Sequence, residues 1–229
     1  MEGASALDLI LSGDPVLFAV VRLSLMVTLA ATFLAAVVGM PLGAAVALTR
    51  FPGRDAVIVI LNGLMGLPPV VVGLLVFLAL SRSGPLGAAG LLFTPTAMII
   101  AQAVLITPII AALTRQLIQD LWVEYRDELT AMEVGPLGRV QALLWDARFS
   151  LVTILLAGFG RAAAEVGAVM IVGGNIDGFT RVMTTTIALE TSKGNLALAI
   201  GLGVVLIGLI MTVNAIAWSV RQWADRHAG

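Results

Sequence analysis

The sequence predicts an all-α protein that crosses a membrane about five times, and three observations lead there. Of the 229 residues, 59% are hydrophobic and only 12% charged, whereas a soluble domain runs nearer half apolar and about a quarter charged. The mean hydropathy is +1.05. The apolar residues gather in five runs of about twenty or more, the length an α-helix needs to cross a bilayer core. A soluble fold of this size would lack the polar side chains to cover its own surface. That excludes an ordinary globular enzyme and any disordered or collagen-like chain.

The five runs are 23–48, 56–80, 91–113, 149–172 and 196–220. The first stops short of Val16, because starting there would bury Arg22, whose guanidinium can snorkel to an interface instead. In the second, Pro68 and Pro69 are expected to kink a continuous helix and shape a cavity. Pro108 is expected to do the same in the third, since neighbouring helices satisfy the backbone groups that proline frees. The fourth carries Arg161 and Glu165 well inside the run. Trp218, at the end of the fifth, and Trp223, just after it, read as interfacial anchors. No internal repeat, low-complexity tract or linker divides the chain, so 1–229 reads as one domain. The stretch from Met1 to Pro15 holds Glu2, Asp8 and Asp14 but no basic residue, so no cleavable signal is expected.

An odd number of spans puts the termini on opposite sides, and the cations decide which. Arg50, Arg54, Arg115, Arg126, Arg139, Arg148, Arg221 and Arg226 fall on one side, against Arg22, Arg82, Arg181 and Lys193 on the other. The richer side is expected to be cytoplasmic, leaving the N-terminus outside and the C-terminus inside. Two segments outside the membrane are long enough to act: the cytoplasmic 114–148 and the external 173–195.

Several chemistries are excluded at once. The net charge is −1, so there is no electrostatic footprint for nucleic acid. There is no cysteine and one histidine, His227 near the C-terminus, which removes thiolate metal sites, cysteine nucleophiles and a buried imidazole. No Gly-x-x-x-x-Gly-Lys-Ser/Thr loop is present, since Lys193 follows Ser192, so this chain does not hydrolyse ATP by that route.

The cytoplasmic segment reads as a helical hairpin. Over 117–133, Trp122, Tyr125, Leu129 and Met132 recur at i, i+3, i+7 and i+10 as one apolar stripe, with Asp120, Glu124, Asp127 and Glu128 on another face. Gly135 and Pro136 are expected to stop that helix, with Gly135 at positive φ, and a second helix over about 137–145 leads back to the membrane. The stripe either packs on the spans or seats in a groove of a partner.

This helix–Gly–helix segment resembles the coupling loop of ABC-importer permeases, whose signature is Glu-Ala-Ala, three residues, then Gly. The frame here is Leu129-Thr130-Ala131-Met132-Glu133-Val134-Gly135. Ala131 and Gly135 are in register, while the leading glutamate is replaced by Glu128 one place earlier. Three further segments are similar to oxyanion permeases of the molybdate/tungstate group: 66–73 (GLPPVVVG), 83–87 (SGPLG) and 159–167 (FGRAAAEVG). The continuation Val172-Gly173-Gly174-Asn175-Ile176, then Thr180-Arg181-Val182-Met183-Thr184-Thr185-Thr186, most resembles the tungstate branch.

The resemblance implies a permease of the prokaryotic plasma membrane importing an oxyanion, tungstate first, by alternating access. It implies a second copy of the chain, two ABC ATPase subunits that hold the ATP and Mg, and an extracytoplasmic oxyanion-binding protein. No cofactor would be bound by this chain, and it would not itself be an enzyme. Glu128, Ala131 and Gly135 become candidates for coupling to the ATPase.

Arg161 and Glu165, at i and i+4, then have two readings. They form an ion pair that pins packing, or they line the anion pathway with Glu165 masking Arg161 until a gate opens. Thr184, Thr185 and Thr186 either offer hydroxyls to an oxyanion or satisfy a helix end, and Asn175 could donate to either. The competing functions are a permease for molybdate or another tetrahedral oxyanion, an ion-coupled secondary transporter, and a non-transport assembly subunit. A secondary transporter would normally show inverted repeats and several deep carboxylates, where this chain shows only Glu165.

Overall fold

The computed structural model describes residues 15–227. Met1 and Gly229, on which the orientation expectation turns, lie outside them, as do Glu2, Asp8 and Asp14. The described residues form nine α-helices and one 3₁₀ turn, with no strand among them. In order they are α1 Pro15–Leu48, α2 Arg54–Leu64, α3 Pro69–Leu80, the 3₁₀ turn Gly87–Ala89, α4 Pro95–Ala131, α5 Pro136–Asp146, α6 Arg148–Ala163, α7 Gly167–Gly173, α8 Met183–Ser192 and α9 Leu196–His227. Within these, α1, α4 and α9 are each long and apolar enough to cross a membrane alone. Counting each strongly bent pair, α2 with α3 (103°) and α5 with α6 (75°), as one span raises the total from 3 to 5.

Four boundaries differ from the sequence expectation, each for a physical reason. Helix α1 runs through Arg22 to Pro15 because Arg22 is exposed, so lengthening the helix buries no charge. The run 56–80 is two helices rather than one kinked helix. Pro68 is extended (φ −66°, ψ 122°) and Pro69 is the first residue of α3, since a proline disfavours the helical region for the residue before it and fits the first helical turn. The run 91–113 and the expected loop helix 117–133 are one helix, α4, because no glycine or proline after Pro108 interrupts it before Ala131. At about 1.5 Å per residue its 37 residues reach about 55 Å, well beyond a hydrocarbon core of about 30 Å. Lastly, the run 149–172 breaks between α6 and α7, at Ala164–Val166. Pro108, by contrast, stays inside its helix as expected.

The core is built chiefly where α1 crosses α4. A methyl on Gly43 would collide with the Ala111 carbonyl and the Arg115 amide, and one on Gly39 would lie 3.1 Å from the Thr107 carbonyl. This small-x-x-x-small patch lets the two backbones approach. Val27, Ala35, Met98, Leu105, Ile106 and Ile110 fill the space around it, all at most 2% exposed. Arg54 closes the C-terminal end of α1, its Nε donating to the Val46 carbonyl (2.8 Å) and its Nη2 to the Ala47 carbonyl (3.2 Å), which satisfies carbonyls a helix end leaves orphaned. On the other side of the molecule α3 packs on α7, with Gly73 against Ala168.

Candidate functional site

The break between α6 and α7 is where the predicted charges meet. Helix α6 ends with Glu165 N donating to the Ala162 carbonyl at 3.1 Å, a tightened last turn. Beyond it, Glu165 is 3% exposed and uses both carboxylate oxygens. Its Oε2 accepts from Arg161 Nη1 at 2.9 Å, and its Oε1 accepts from Ala168 N, in the first turn of α7, at 3.0 Å. Glu165 is thus both an ion-pair partner and the cap of a new helix, a role that favours an anionic acceptor. Arg161 is 35% exposed, so its side chain is partly covered and keeps some access to the surroundings.

A break frees backbone groups that must be met inside the protein, and polar side chains from other helices meet them. Gln102 Nε2 of α4 donates to the Ala162 carbonyl at 3.0 Å. Thr184 Oγ1 of α8 donates to the Glu165 carbonyl at 2.8 Å. The structure therefore brings Arg161, Glu165 and Thr184 together. Thr185 and Thr186 are buried in the first turn of α8, each donating to the Val182 carbonyl (3.1 and 2.7 Å), and Thr185 Oγ1 also accepts from Val182 N. Both satisfy a helix end. A small cavity lined by Ser24, Thr28, Gln102, Phe159 and Thr184 has a volume of about 20 Å³, room for about one water and too little for a tetrahedral oxyanion.

Asn175 sits apart from these, half-buried in the turn after α7 with φ 49°. Its Oδ1 is buried with no partner among the described residues. That turn is held by Thr180, fully buried, whose Oγ1 donates to the Gly173 carbonyl (2.6 Å) and accepts from Ile176 N (2.9 Å). Gln102 and Thr180 are the working polar residues the sequence expectation omitted. Gln102 was signalled by a lone amide in the apolar run 91–113; nothing in the sequence distinguishes Thr180 from its threonine neighbours.

The coupling candidates Glu128, Ala131 and Gly135 lie exposed at the tip of the hairpin formed by the end of α4 and by α5. Trp122, Tyr125 and Leu129 pack against the core as half-buried residues, but Met132 leaves the stripe and is 73% exposed. Gly135 corrects the sequence expectation: it is extended at φ −69° and ψ 166°, and a Cβ there meets nothing within 4 Å. The left-handed residue of the turn is Glu133 (φ 53°). The reversal comes two residues before the glycine, and Gly135 caps α5 instead. Arg139 fixes the two arms, its guanidinium 5.2 Å over the Trp122 ring and its Nε donating to the Val134 carbonyl at 2.8 Å. Val123, Met132, Leu137 and Trp145, each more than 70% exposed, leave a set of apolar side chains on this end.

No family model matches the chain. Over 220 residues it is 44% identical to the probable anion ABC transporter permease protein of Haloferax volcanii, covering 93% of each chain. Over 218 residues it is 40% identical to the tungstate uptake system permease protein TupB of Peptoclostridium acidaminophilum, covering 95% of this chain and 96% of that one. With the molybdenum transport system permease protein ModB of Azotobacter vinelandii the identity is 25% over 185 residues, 74% of this chain and 78% of that one.

Proposed function

The chain belongs to the ABC transporter permeases, and on that premise we propose that it forms the membrane pathway of an ATP-driven importer for a tetrahedral oxyanion, tungstate first. The observation that carries the choice of anion is the 40% identity, over nearly the whole chain, to a relative named for tungstate uptake. The relative named for molybdenum transport is 25% identical over a smaller share.

Two copies of the chain enclose the pathway, and Arg161 is the residue that meets the anion. Its guanidinium is permanently charged and presents several donors in a fixed fork. One donor is spent on Glu165, and a third of the side chain is exposed. Glu165 holds the arginine in place and caps α7; it does not itself touch the substrate. Transit requires release as well as binding, and a partly compensated arginine gives an anion an attractive but shallow site.

The hairpin of α4 and α5 docks an ATPase subunit, one per copy, and the ATP and Mg reside there. Exposed apolar side chains at Val123, Met132, Leu137 and Trp145, beside the acidic Glu124, Asp127 and Glu128, suit a groove with an apolar floor and basic rim. The arginine excess places this end in the cytoplasm, with the N-terminus outside and the C-terminus inside. An external binding protein delivers the anion and carries most of the selectivity.

The test is uptake of labelled tungstate by cells carrying the chain with and without its ATPase, with molybdate and sulfate as competitors. ATPase-dependent uptake that tungstate suppresses at lower concentration than molybdate supports the proposal. Molybdate winning that competition makes this a molybdate importer. Uptake that persists without the ATPase and collapses with the proton gradient makes it a secondary transporter. For Arg161, the double variant Arg161→Met with Glu165→Gln keeps the cap of α7; it should fold and fail to carry the anion. Normal uptake by that variant removes Arg161 from the pathway.

A further inference from the structure

The cations assigned to the external side are only four, Arg22, Arg82, Arg181 and Lys193, and two of them line the same cavity. Its volume is about 760 Å³, on the order of two dozen waters at about 30 Å³ each. The walls come from two distant parts of the chain. Helix α1 contributes Phe18, Arg22, Leu23 and Met26, and the turn before α8 contributes Asp177, Gly178, Phe179 and Arg181. The two parts are tied directly, because Met183 N donates to Ser24 Oγ at 2.8 Å.

The charges around the cavity are unequal. Arg181 Nη1 pairs with Asp177 at 2.9 Å, but Asp177 is 72% exposed and Arg181 only 21%. Arg181 Nε is buried with no hydrogen-bond partner among the described residues. Glu190, another carboxylate close enough to feel Arg181 among the described residues, is already bound by Lys193 (2.8 Å) and Asn195 (3.0 Å). Arg22 forms no ion pair among the described residues. Two guanidiniums thus face one exposed, displaceable carboxylate across a cavity with apolar walls, and such walls focus a positive potential.

We propose that this cavity, bounded by Arg22 and Arg181, is an outer capture site that takes a tetrahedral oxyanion before it reaches Arg161. This rests on the oxyanion-importer reading. The arriving anion replaces Asp177 on Arg181 and takes its second donor set from Arg22, while Phe18 and Phe179 limit the water around it.

The native chain has no cysteine, so Phe179→Cys places a lone thiol in the cavity wall. In right-side-out membrane vesicles, that thiol is labelled with membrane-impermeant methanethiosulfonates, one bearing a sulfonate and one a quaternary ammonium. Relative to free cysteine, the anionic reagent should be favoured roughly tenfold, and sodium tungstate in the millimolar range should slow labelling severalfold. Adding Arg22→Gln should abolish both effects. Arg181→Gln should do the same, and because Arg22 is exposed its variant carries the test even where loss of Arg181 disturbs the turn.

Absence of the anionic preference, or labelling that tungstate does not slow, overturns the proposal. The same labelling in liposomes of phosphatidylcholine, with and without phosphatidylglycerol, separates a lipid headgroup from the free anion. Protection that comes from phosphatidylglycerol and is not increased by tungstate makes this a lipid site and also overturns it. Uptake assays on the same variants distinguish the two readings. Protection without ATP-driven uptake defeats the importer reading alone, and uptake without protection defeats this one alone.

Discussion

Truncating Glu165 to alanine removes the acceptor for Arg161 Nη1 at 2.9 Å and the acceptor for Ala168 N at 3.0 Å together. The lost cap costs about 1 kcal/mol, by the usual range for capping residues. The lost pair would cost about 3–5 kcal/mol were both charges buried, and about 1 or less were both exposed. Glu165 is buried but Arg161 is 35% exposed and can rehydrate, which puts this term at about 1–2 kcal/mol. The total is about 2–3 kcal/mol, which for a chain of this length lowers Tm by roughly 5–10 °C. Two double variants separate the terms. Arg161→Met with Glu165→Leu removes both charges yet strands Ala168 N, so it stays about 1 kcal/mol below the native protein. Arg161→Met with Glu165→Gln keeps an acceptor for that amide and should lie within about 0.5 kcal/mol of native. Thermal unfolding in a single detergent, followed by tryptophan fluorescence, ranks all three. Equal or higher stability for the leucine double variant refutes the capping role, and with it the reading of Glu165 as a structural hub.

Gly135→Val should leave the fold intact, since its φ is negative and its Cβ faces open space, and cost Tm a few degrees at most for the poorer N-cap, while co-purification with the ATPase falls at least severalfold. A variant that binds the ATPase normally places the docking surface elsewhere. Glu133→Gly should raise Tm slightly, because glycine relieves a left-handed position that costs other residues about 1 kcal/mol; a lower Tm counts against that turn. Glu190 gives a pH dependence. The hydrogen bond from Lys193, with lesser help from Asn195 and from the charges of Lys193 and Arg181, holds its carboxyl below 4.5 against burial. A depressed folded pKa gives stability that is full above the unfolded value and lost as pH falls through the folded one. Glu190→Gln should therefore be less stable at neutral pH and lose less Tm on acidification below about 4.5 than the native chain; an unchanged acid profile removes Glu190 from the account. A reporter that fluoresces only in the cytoplasm should be bright when fused after Gly229, and a full-length but dark fusion reverses the topology.

What the sequence made legible was the material a membrane demands. Apolar length located α1, α4 and α9 and placed one end of each, Leu48, Pro95 and Leu196, within a few residues, because a helix in lipid must satisfy its own backbone; the other ends run on past the apolar run. Gly135 and Pro136 marked a true boundary, although the helix reverses at Glu133, a residue with no sequence signal for a left-handed turn. Proline was the most misleading cue. Pro69, Pro95 and Pro136 each begin a helix, so Pro68–Pro69 marked a start that hydropathy, averaging across it, hid. The break at Glu165 was invisible for a different reason. Its residues, Ala162 to Gly167, suit a helix locally, and the interruption is stabilised by partners far away in sequence, Gln102 and Thr184. The site chemistry was half legible: Arg161 and Glu165 are adjacent by helical spacing, whereas the meeting of Arg22 with Arg181 depends on how α1 lies beside the turn before α8.

Helix α4 links the two ends of the problem. The hairpin proposed to dock the ATPase begins with its last turns, and Gln102 near its other end holds the Ala162 carbonyl at the break. Ala131 stands 29 positions beyond Gln102 in one helix, about 44 Å. A tilt applied at the hairpin therefore reaches the break through covalent structure, without a chain of side-chain contacts. Pro108 is the one point in the interior of that helix that lacks a backbone donor. At the far end, the elements that receive the motion are short: α7 has seven residues and α8 ten. A few polar bonds tie each to its surroundings: Ala168 N to Glu165, Phe93 N to the Val172 carbonyl and Thr180 to the Gly173 carbonyl for α7, Thr184 to the Glu165 carbonyl and Met183 N to Ser24 for α8. Short helices are where a packed protein yields first. Glu165 sits at the junction of α6, α7 and α8, beside the arginine proposed to meet the anion, and the Gln102 bond to the Ala162 carbonyl ties that junction directly to α4.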